Sequence, residues 1–417
     1  MDKKFFSNNR IKYINAVKDN SLTVLSSGCL LRKTADQDFD FEVDKNFYYL
    51  TGIKQAEVIY MLLKKDNKVT EVLFIEENDP IKIKWVGAKL YKDEATNISG
   101  IYNIEYLTNY QKVLDEYIQK VDDVYLNYEY SKGYRYNHNY NFSMIIKNKY
   151  PDKNYLDNDG IIVRMRSVKE KEEIEMIKKS IDVTKLGIEE LMKNSRPGIY
   201  EYQLENYFDF VIKNNGQRTT SFKTIAASGL NATILHYVSN DSILKDNDLI
   251  LFDLGCTTEY YISDISRTFP VNGKFTDRQK EIYNEVLNVN KKCIEFLKPG
   301  VTRLEYNNYA KKLLSESCIR LGLITKEEDL VKYYFHGIGH SIGLDTHDPC
   351  DYEMAFKEGM LVTVEPGLYI PEENIGIRIE DDVVITKDGC LNLSSNIIKE
   401  VDEIEEFFKN NNNFFKK

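Results

Sequence analysis

The stretch LILFDLGCTTEYYISDISRTF (249–269) contains two runs of β-forming residues on either side of GCTTE. This pattern predicts an antiparallel strand pair in which Asp253 and Asp264 could face each other, with Cβ atoms about 4.5 to 5.5 Å apart. Two ionised carboxylates at that distance repel each other unless a cation lies between them. Two unrelated acids on a solvated hairpin are the alternative. Because Asp253 follows the apolar run LILF, where an unpaired charge is costly, the stretch favours a divalent-metal site.

Two later segments also place acids at strand positions. In GMLVTVEPGLYI, Glu365 ends an apolar strand just before Pro-Gly. In GIRIEDDVVIT, strand alternation places Arg378, Glu380 and Asp382 on one face. Each acid alone is typical of an ordinary strand end or edge. The joint pattern of four acids at strand positions, with histidines between them, is what indicates a site.

Three of the five histidines lie in the segment HGIGHSIGLDTHDP, namely His336, His340 and His347. Its glycines argue against a regular helix, and in an extended segment four residues at about 3.3 Å each separate His336 and His340 too far to bind one ion. One histidine is therefore expected to be a ligand, and the other two to contact ligands or substrate. No H-E-x-x-H motif is present, which excludes a zincin.

Four carboxylates and one imidazole form an oxygen-rich donor set that suits Mn²⁺, Mg²⁺, Co²⁺ or Fe²⁺ better than a thiolate-bound zinc. Two divalent ions would balance four carboxylates in charge. A pair of metals about 3.5 to 4 Å apart can hold a bridging hydroxide and polarise a carbonyl group. The predicted chemistry is amide hydrolysis, with the ligand set Asp253, Asp264, His340, Glu365 and Glu380.

The composition is that of an acidic enzyme. The chain has 417 residues, a formal net charge of -10 and a pI near 5.3, which argues against nucleic acid as the main partner. Its six cysteines are spread without a C-x-x-C pair and are expected to be free thiols. We find no signal peptide and no apolar run of membrane-spanning length, so we expect a cytoplasmic protein with no membrane partner.

Two domains are expected from the length and the pattern. The runs LTVLSS, EVIYMLL, EVLFIEE and DDVYLNY, together with the helix-compatible YQKVLDEYIQKV, predict an α/β domain. The segment 147–160 has the Asn, Asp, Pro and Gly content of a linker, and we place the domains at 1–158 and 159–417. Amphipathic helices over 168–194 and 200–216, followed by mixed strands and helices, predict an α+β second domain.

The motifs quoted above resemble those of the pita-bread metallopeptidases, most closely Xaa-Pro aminopeptidase (aminopeptidase P), with prolidase as a near relative. The spacing of eleven residues between Asp253 and Asp264 is similar to that of the family. DKNFYYLTGI and KWVGAK resemble the N-terminal domain of aminopeptidase P. The resemblance implies a pita-bread catalytic domain and cleavage of the bond between an N-terminal residue and a following proline by a hydroxide that bridges two metal ions.

The resemblance also implies a role for each site residue. Asp253 would bind one metal ion, His340 and Glu365 the other, and Asp264 and Glu380 both. Glu365 would also carry the proton of the nucleophile to the leaving nitrogen. The remaining expected roles are catalysis and substrate binding for His236 and His347, a proline pocket at His336, and a contact with the site by Arg378.

The resemblance further implies two divalent ions, most simply Mn²⁺, with Co²⁺, Zn²⁺ or Fe²⁺ as alternatives, and a homodimer or homotetramer. The expected substrates are peptides with proline in second position. Prolidase, which cleaves Xaa-Pro dipeptides, is the alternative activity. A non-enzymatic pita-bread binding module and a creatinase-type enzyme are disfavoured, because all five ligand types are present.

Overall fold

The computed structural model describes residues 1–128 and 137–414. Contacts divide the chain into two units, Met1–Met165 and Arg166–Lys417. Unit 1 contains the helices α1 (Lys3–Ala16), α2 (Lys45–Thr51), α3 (Ile83–Val86), α4 (Lys92–Ser99), α5 (Tyr110–Ile118) and α6 (His138–Lys149), and a 3₁₀ turn at Leu107–Asn109. Its strands are β1 (Ser21–Ser26), β2 (Arg32–Thr34), β3 (Gln37–Asp38), β4 (Ile59–Lys65), β5 (Lys68–Ile75), β6 (Ile104–Tyr106), β7 (Asp123–Leu126) and β8 (Asn154–Asp157).

The core of unit 1 is a mixed six-stranded sheet in the order β6-β5-β4-β1-β7-β8. The central strand β1 is buried at every position, which indicates that both sheet faces are covered. Leu22 and Val24 pack with Leu114 of α5 on one face. On the other face Thr23 Oγ1 lies 3.0 Å from the Tyr13 hydroxyl of α1. The predicted strands and helix of this region are confirmed at β1, β4, β5, β7 and α5.

The division between the units falls within α7 (Asp159–Ser167). The linker-like composition of 147–160 favours a boundary earlier, at residue 158, and that boundary stays a prediction.

Unit 2 combines long helices with short antiparallel strands. Its helices are α8 (Lys171–Asn194), α9 (Glu201–Asn214), α10 (Asp277–Phe296), α11 (Arg303–Arg320) and α12 (Val401–Asn411), with 3₁₀ turns at Gly229–Thr233, Glu327–Lys332 and Pro371–Glu373. Its strands are β9 (Ile225–Ser228), β10 (Leu249–Leu254), β11 (Thr257–Thr258), β12 (Tyr261–Ile262), β13 (Ile265–Pro270), β14 (Leu361–Val364), β15 (Gly367–Ile370), β16 (Ile375–Arg378), β17 (Asp381–Ile385) and β18 (Cys390–Asn392).

The helix α8 shows how the predicted amphipathic pattern forms one wall of this unit. Ile177, Ile181, Ile188 and Leu191 are buried, as the periodicity predicts. Gly187 lies against α9 so closely that a Cβ atom there would be 2.3 Å from the Phe208 ring. Two turns earlier in α8, the Ser180 hydroxyl donates to the Tyr261 carbonyl of the hairpin β11–β12 at 2.8 Å.

The strands of unit 2 form two three-stranded antiparallel sheets, in the orders β13-β10-β9 and β14-β17-β18, and the pairs β15–β16 and β11–β12. This arrangement is the α+β class predicted for the second domain. No helix in the described ranges is long and apolar enough to cross a membrane.

Candidate active site

The two aspartates lie at one end of the β10–β13 pair. Asp253 is opposite Ser266, and Asp264 comes two residues earlier, just before β13 begins. The expectation that Asp253 directly faces Asp264 is therefore wrong by two residues. Because side chains two apart share a strand face, both carboxylates still point to the same side. The hairpin is tight at Gly255, where a Cβ atom would lie 1.8 Å from the Ser263 carbonyl oxygen.

His340 and Glu365 meet because the glycine-rich segment runs alongside β14. The amide of Thr363 donates to the His340 carbonyl, and the amide of Glu365 donates to the Ile338 carbonyl, both at 2.9 Å. Only glycine fits at position 339, since a Cβ atom there would lie 2.0 Å from the Thr363 carbonyl oxygen. His340 Nε2 is consequently 3.7 Å from Glu365 Oε1.

Glu365 and Glu380 lie at a shared interruption of two strand ladders. β14 pairs with β17 and β15 pairs with β16, so Glu365-Pro366 and Ile379-Glu380 are the links between the two ladders, joined by the Ile379 amide, which donates to the Pro366 carbonyl at 3.3 Å. The single strand predicted through GIRIEDDVVIT is therefore wrong, and the break occurs opposite a proline, which has no N–H for a ladder. Ser266 of β13 donates its hydroxyl to Glu380 Oε2 at 2.8 Å and joins this interruption to the aspartates.

The five predicted ligands and the four predicted substrate-contacting residues line one cavity of about 570 Å³. Asp264, His340 and Glu380 each offer a ligand atom, and these atoms lie within 4.8 Å of one another. His340 Nε2 is 3.5 Å from Asp264 Oδ2. The lining contains Asp253, Asp264, His340, Glu365, Glu380, His236, His336, His347 and Arg378.

Burial and mutual repulsion disfavour ionisation of the carboxyls. Burial, and then the charges of Asp253, Asp382 and Glu365, raise the pKa of Asp264 well above its ordinary value. Burial and the Asp264 charge do the same to the pKa of Glu380. Burial raises the pKa of Glu365 to about 8, although the charge of Arg378 opposes this shift. The side chains of the cavity do not compensate the charge that ionising these carboxyls would create, so the protonated forms are favoured until cations bind.

These residues fit divalent ions. Three donors from different segments converge, and they include both oxygen and imidazole ligands. The buried Asp253 Oδ1 has no hydrogen-bond partner within the described ranges, while its Oδ2 accepts from Arg378 Nη2 at 2.7 Å. An unsatisfied buried carboxylate oxygen is costly unless a cation binds it. Bound divalent ions would satisfy that oxygen and relieve the repulsion between the acids.

The imidazoles of His336 and His340 are held neutral. Burial lowers the pKa of each ring to about 4, so both are uncharged at neutral pH. His340 Nδ1 lies 3.0 Å from the Ser341 carbonyl oxygen. Since a carbonyl only accepts, the Nδ1 atom carries the proton and Nε2 presents its lone pair to Asp264 and Glu365. This is the tautomer that a metal ligand requires.

The other histidines surround this centre. His336 Nε2 is 2.9 Å from the Tyr369 hydroxyl. The His347 ring stands edge-on to the His340 ring, with 4.3 Å between the centroids. Burial and the neighbouring His236 lower the pKa of His347. Three imidazoles therefore line the cavity around the predicted ligand, at positions from which they can contact a substrate.

Two further residues shape the site: Tyr369, which sequence reasoning missed, and Asp382, which it placed on the strand face of Glu380 without assigning a role. Tyr369 contacts His336 and also accepts from Arg378 Nη1 at 3.1 Å. Asp382 accepts from the Asp264 amide at 3.1 Å, and burial raises its pKa well above the ordinary value. Strand alternation places Asp382 on the face of Glu380, but its contact with the Asp264 backbone was not predicted. Nothing in the sequence around Tyr369 distinguishes it from a core residue.

Comparison with known proteins now identifies the family. Residues 175–387 match the model of metallopeptidase family M24, and residues 6–125 match the aminopeptidase P N-terminal domain. The chain belongs to metallopeptidase family M24.

Relatives of this M24 protein match it from end to end. The Xaa-Pro aminopeptidase of Escherichia coli K12 is 31% identical over 96% of each chain, and that of Haemophilus influenzae is 31% identical over 97% of each. A Bacillus anthracis structure named for aminopeptidase P has a TM-score of 0.96 at 45% identity and covers 99% of this chain and 100% of its own. The low-pH form of E. coli aminopeptidase P has a TM-score of 0.91 at 30% identity and covers 98% of each chain.

These matches confirm the predicted family, the fold class and the enzyme class. The M24 chain is a metallo-aminopeptidase with an aminopeptidase P N-terminal domain. The individual roles of the cavity residues stay predictions that the geometry supports.

Proposed function

We propose that the cavity removes the N-terminal residue of peptides that carry proline in second position. The observation that carries this proposal is the convergence of the five predicted ligands in one cavity with three further histidines and Arg378. The matched relatives named Xaa-Pro aminopeptidase support the same substrate class.

Two divalent metal ions would be held by the five ligands. In this proposal Asp253 binds one ion, His340 and Glu365 bind the other, and Asp264 and Glu380 contact both. When bound, such ions polarise the scissile carbonyl group and make a water molecule nucleophilic near neutral pH. We propose Mn²⁺ as the native ion, because oxygen ligands predominate in the donor set.

Glu365 is the proposed proton carrier. Its Oε1 atom accepts a hydrogen bond from Thr363 Oγ1 at 3.4 Å, and its Oε2 atom lies 3.8 Å from His336 Nδ1. Glu365 lines the cavity beside the other predicted ligands, where a carboxylate can act first as a general base and then as a general acid. It can take the proton of the attacking water and deliver it to the leaving proline nitrogen.

The remaining residues bind and orient the peptide. His236 and His347 line the mouth of the cavity and can donate hydrogen bonds to the scissile carbonyl oxygen as negative charge develops on it. His336 lines the cavity and is the proposed contact for the proline ring, and its ring lies 5.6 Å from that of Tyr369 at an interplanar angle of 56°. Arg378 holds this arrangement, since it bonds Tyr369, Ser266 and Asp253 together.

An assay of two peptides tests the proposal against prolidase activity. The protein is loaded with Mn²⁺, Co²⁺ or Zn²⁺ and incubated with a Xaa-Pro dipeptide and a Xaa-Pro-Xaa tripeptide. Release of the first residue from the tripeptide supports the proposal. Cleavage of the dipeptide alone assigns prolidase activity, and cleavage of neither peptide with any of the metals overturns the proposed function.

We further propose that the protein is a cytoplasmic homodimer or homotetramer. Free cysteines throughout the described ranges fit a reducing compartment. Ile81, Trp85 and Val86 of unit 1 are 69%, 84% and 75% exposed, and a cluster of exposed apolar side chains favours association. Analytical ultracentrifugation of the full chain and of the W85S variant tests this assembly, and a monomeric wild type would refute it.

A further inference from the structure

The loop that carries His347 has little regular structure of its own. It runs from Ser341 to Asp348, and its two ends are joined by the Asp348 amide, which donates to the Ser341 carbonyl at 2.9 Å. The Asp345 amide donates to Asp348 Oδ1 at 3.1 Å. His347 thus lies between backbone atoms whose positions depend on the side chain of Asp348.

Two buried cations from a distant part of the sequence bind that side chain. Arg166 Nη2 is 2.6 Å from Asp348 Oδ1 and 2.5 Å from Asp345 Oδ2. Lys169 Nζ is 2.7 Å from Asp348 Oδ2 and donates to the Arg166 carbonyl at 2.7 Å. The side chains of Arg166, Lys169 and Asp348 are 4%, 1% and 1% exposed, so these three are shielded from water, while Asp345 lies at the exposed edge of the cluster.

The cluster is neutral, with two cations and two carboxylates, which is the condition under which buried charges are tolerated. Burial opposes ionisation of Asp348, but Arg166 and Lys169 outweigh it and hold its pKa below the ordinary value. Asp348 is therefore an ionised carboxylate. Its Oδ1 atom accepts from Arg166 and from the Asp345 amide, and its Oδ2 atom accepts from Lys169, so three donors fix the carboxylate and the turn that contains it.

Close packing presses the loop onto this cluster. At Gly343 a Cβ atom would lie 2.7 Å from Asp348 Oδ2 and 2.9 Å from Lys169 Cε. The Gly343 carbonyl accepts from the Ile262 amide at 2.9 Å, which ties the loop to the hairpin before Asp264. The loop is thereby fixed to both the cation pair and the strand end that carries a predicted ligand.

We infer that Arg166 and Lys169 are positioning residues for His347, which they hold over the cavity by fixing the turn Asp345–Asp348. They lie beneath the loop and act on the reaction through His347, whose ring is 4.3 Å from that of His340. This inference rests on the proposed function, because it assumes that His347 contacts the peptide in the transition state.

A double-mutant cycle tests the inference in the metal-loaded full chain. Arg166→Lys retains the charge but replaces the planar guanidinium that bridges two carboxylates. We expect it to lower kcat for a Xaa-Pro-Xaa peptide roughly tenfold, with little change in KM, as is usual when a supporting partner is lost. In the H347A background the same substitution is expected to change kcat less than twofold.

Arg10→Lys is the matched control. Arg10 of unit 1 is 3% exposed, pairs with Glu71 and donates to the Leu50 and Ser99 carbonyls, so it is an equally buried arginine with a carboxylate partner. We expect this control to lower thermal stability but to leave kcat within twofold of wild type. If R166K does not fold, D345N gives a milder test, since Asp345 is 42% exposed and also bonds Arg166.

A spectrum of the metal-free protein gives a readout other than activity. With five histidines in the chain, ¹⁵N-labelled ring signals can be resolved, and that of His347 is identified by its loss in H347A. We expect R166K to move or broaden the His347 signal and to leave that of His138 in unit 1 unchanged.

Three results would overturn the inference. One is an equal fall in kcat in the wild-type and H347A backgrounds. Another is a loss of bound metal in R166K that matches its loss of activity, and the last is an unchanged His347 signal. If the wild-type protein cleaves neither peptide, the proposed function itself is refuted. That outcome differs from the three results above, which refute only the positioning role of Arg166 and Lys169.

Discussion

Unit 2 buries carboxylates in two contrasting environments. Asp264, Glu365 and Glu380 face one another, and burial raises the pKa of each. Asp348 and Asp381 are as deeply buried, but each lies between an arginine and a lysine that hold its pKa below the ordinary value. One carboxylate of each environment occurs at adjacent positions in the sequence, Glu380 and Asp381.

Asp381 shows what makes the difference. It points to the opposite side of the chain from Glu380, where Arg267 Nη2 lies 2.8 Å from its Oδ1 atom. Lys399 also bonds its other oxygen. The compensated acids are ionised and hold backbone segments in place, whereas the uncompensated ones favour their protonated forms and would ionise when cations bind. A structural carboxylate and a predicted metal-binding carboxylate thus differ in their partners and not in their burial.

The largest effect is expected for a change among the uncompensated acids. Glu380→Gln should lower kcat/KM by about 10³-fold, equivalent to about 4 kcal/mol, because it removes a predicted bridging ligand. The metal content, measured by elemental analysis, should fall from two ions per chain. The metal-free variant should nevertheless be as stable as wild type or more so.

Asp382→Asn is the control for that variant. Asp382 is buried with a raised pKa but is not a predicted ligand. We expect it to keep two ions and to lose only about 10- to 100-fold in activity, which is typical of residues that support a ligand. Retention of both ions and full activity in E380Q would contradict the two-metal assignment.

The next effect concerns the compensated acids. Asp381→Asn leaves Arg267 and Lys399 buried without their partner and should destabilise the protein by about 3 to 5 kcal/mol. Urea unfolding of the metal-free protein measures this change. A destabilisation no larger than that of metal-free E380Q would show that the two environments do not differ as described.

The pH dependence of stability provides a third test. An acid whose pKa is raised on folding binds its proton more tightly in the native state, so its contribution to stability falls as pH rises towards the native pKa. For Glu365 that pKa is about 8. Below pH 6.5 the lowered pKa values of His336 and His340 act in the opposite direction, which makes pH 6.5 to 8 the clean interval.

In that interval the metal-free protein should lose up to about 1.4 kcal/mol of unfolding free energy per pH unit for each such carboxyl group. Bound divalent ions should reduce the trend to the contribution of buried acids outside the predicted ligand set, such as Glu173, whose pKa is about 7, and should release protons on binding, which titration calorimetry detects. Asp348 and Asp381 should contribute nothing there, because their pKa values lie below the ordinary one. Stability that rises from pH 6.5 to 8 without metal would count against the raised pKa values.

The smallest effect is expected at a neutral partner of Asp381. Ser394 donates its hydroxyl to Asp381 Oδ1 at 2.8 Å and accepts from the Asp382 amide at 3.2 Å. Ser394→Ala should cost about 1.5 kcal/mol of unfolding free energy, the low end of the usual range for a hydrogen bond to a charged group. In the D381N background the cost should shrink, and equal costs in both backgrounds would show that the two side chains are not coupled.

Local patterns predicted most of the candidate site. Strand alternation and apolar flanks single out Asp253, Asp264, Glu365 and Glu380, and the glycines around His340 predict a segment that is not helical. All of these residues line the cavity. Register was predicted less well, because the offset of Asp253 against Ser266 depends on the tight turn at Gly255, which only contacts with Ser263 define.

Long-range partners could not be predicted. The break after Arg378 follows from pairing with β14 and β15, and the role of Arg166 depends on Asp348, 182 residues away. The periodicity of a sequence does not indicate which buried lysine or arginine pairs with which carboxylate. In the sequence, Asp381 and Lys169 are charged residues of ordinary segments, and only the folded chain shows that both are buried.

The strand interruption at Glu365 and Glu380 also bears on how the protein folds. The pairing of Asp253 with Ser266 closes a loop of only 13 residues (266 − 253), whereas the bond from Ser266 to Glu380 spans 114. Closing a longer loop costs more chain entropy, and contacts between distant segments slow folding. The aspartate half of the centre should therefore assemble early, and the glutamate half should complete it late. During refolding, the ability to bind metal should appear after most of the secondary structure has formed.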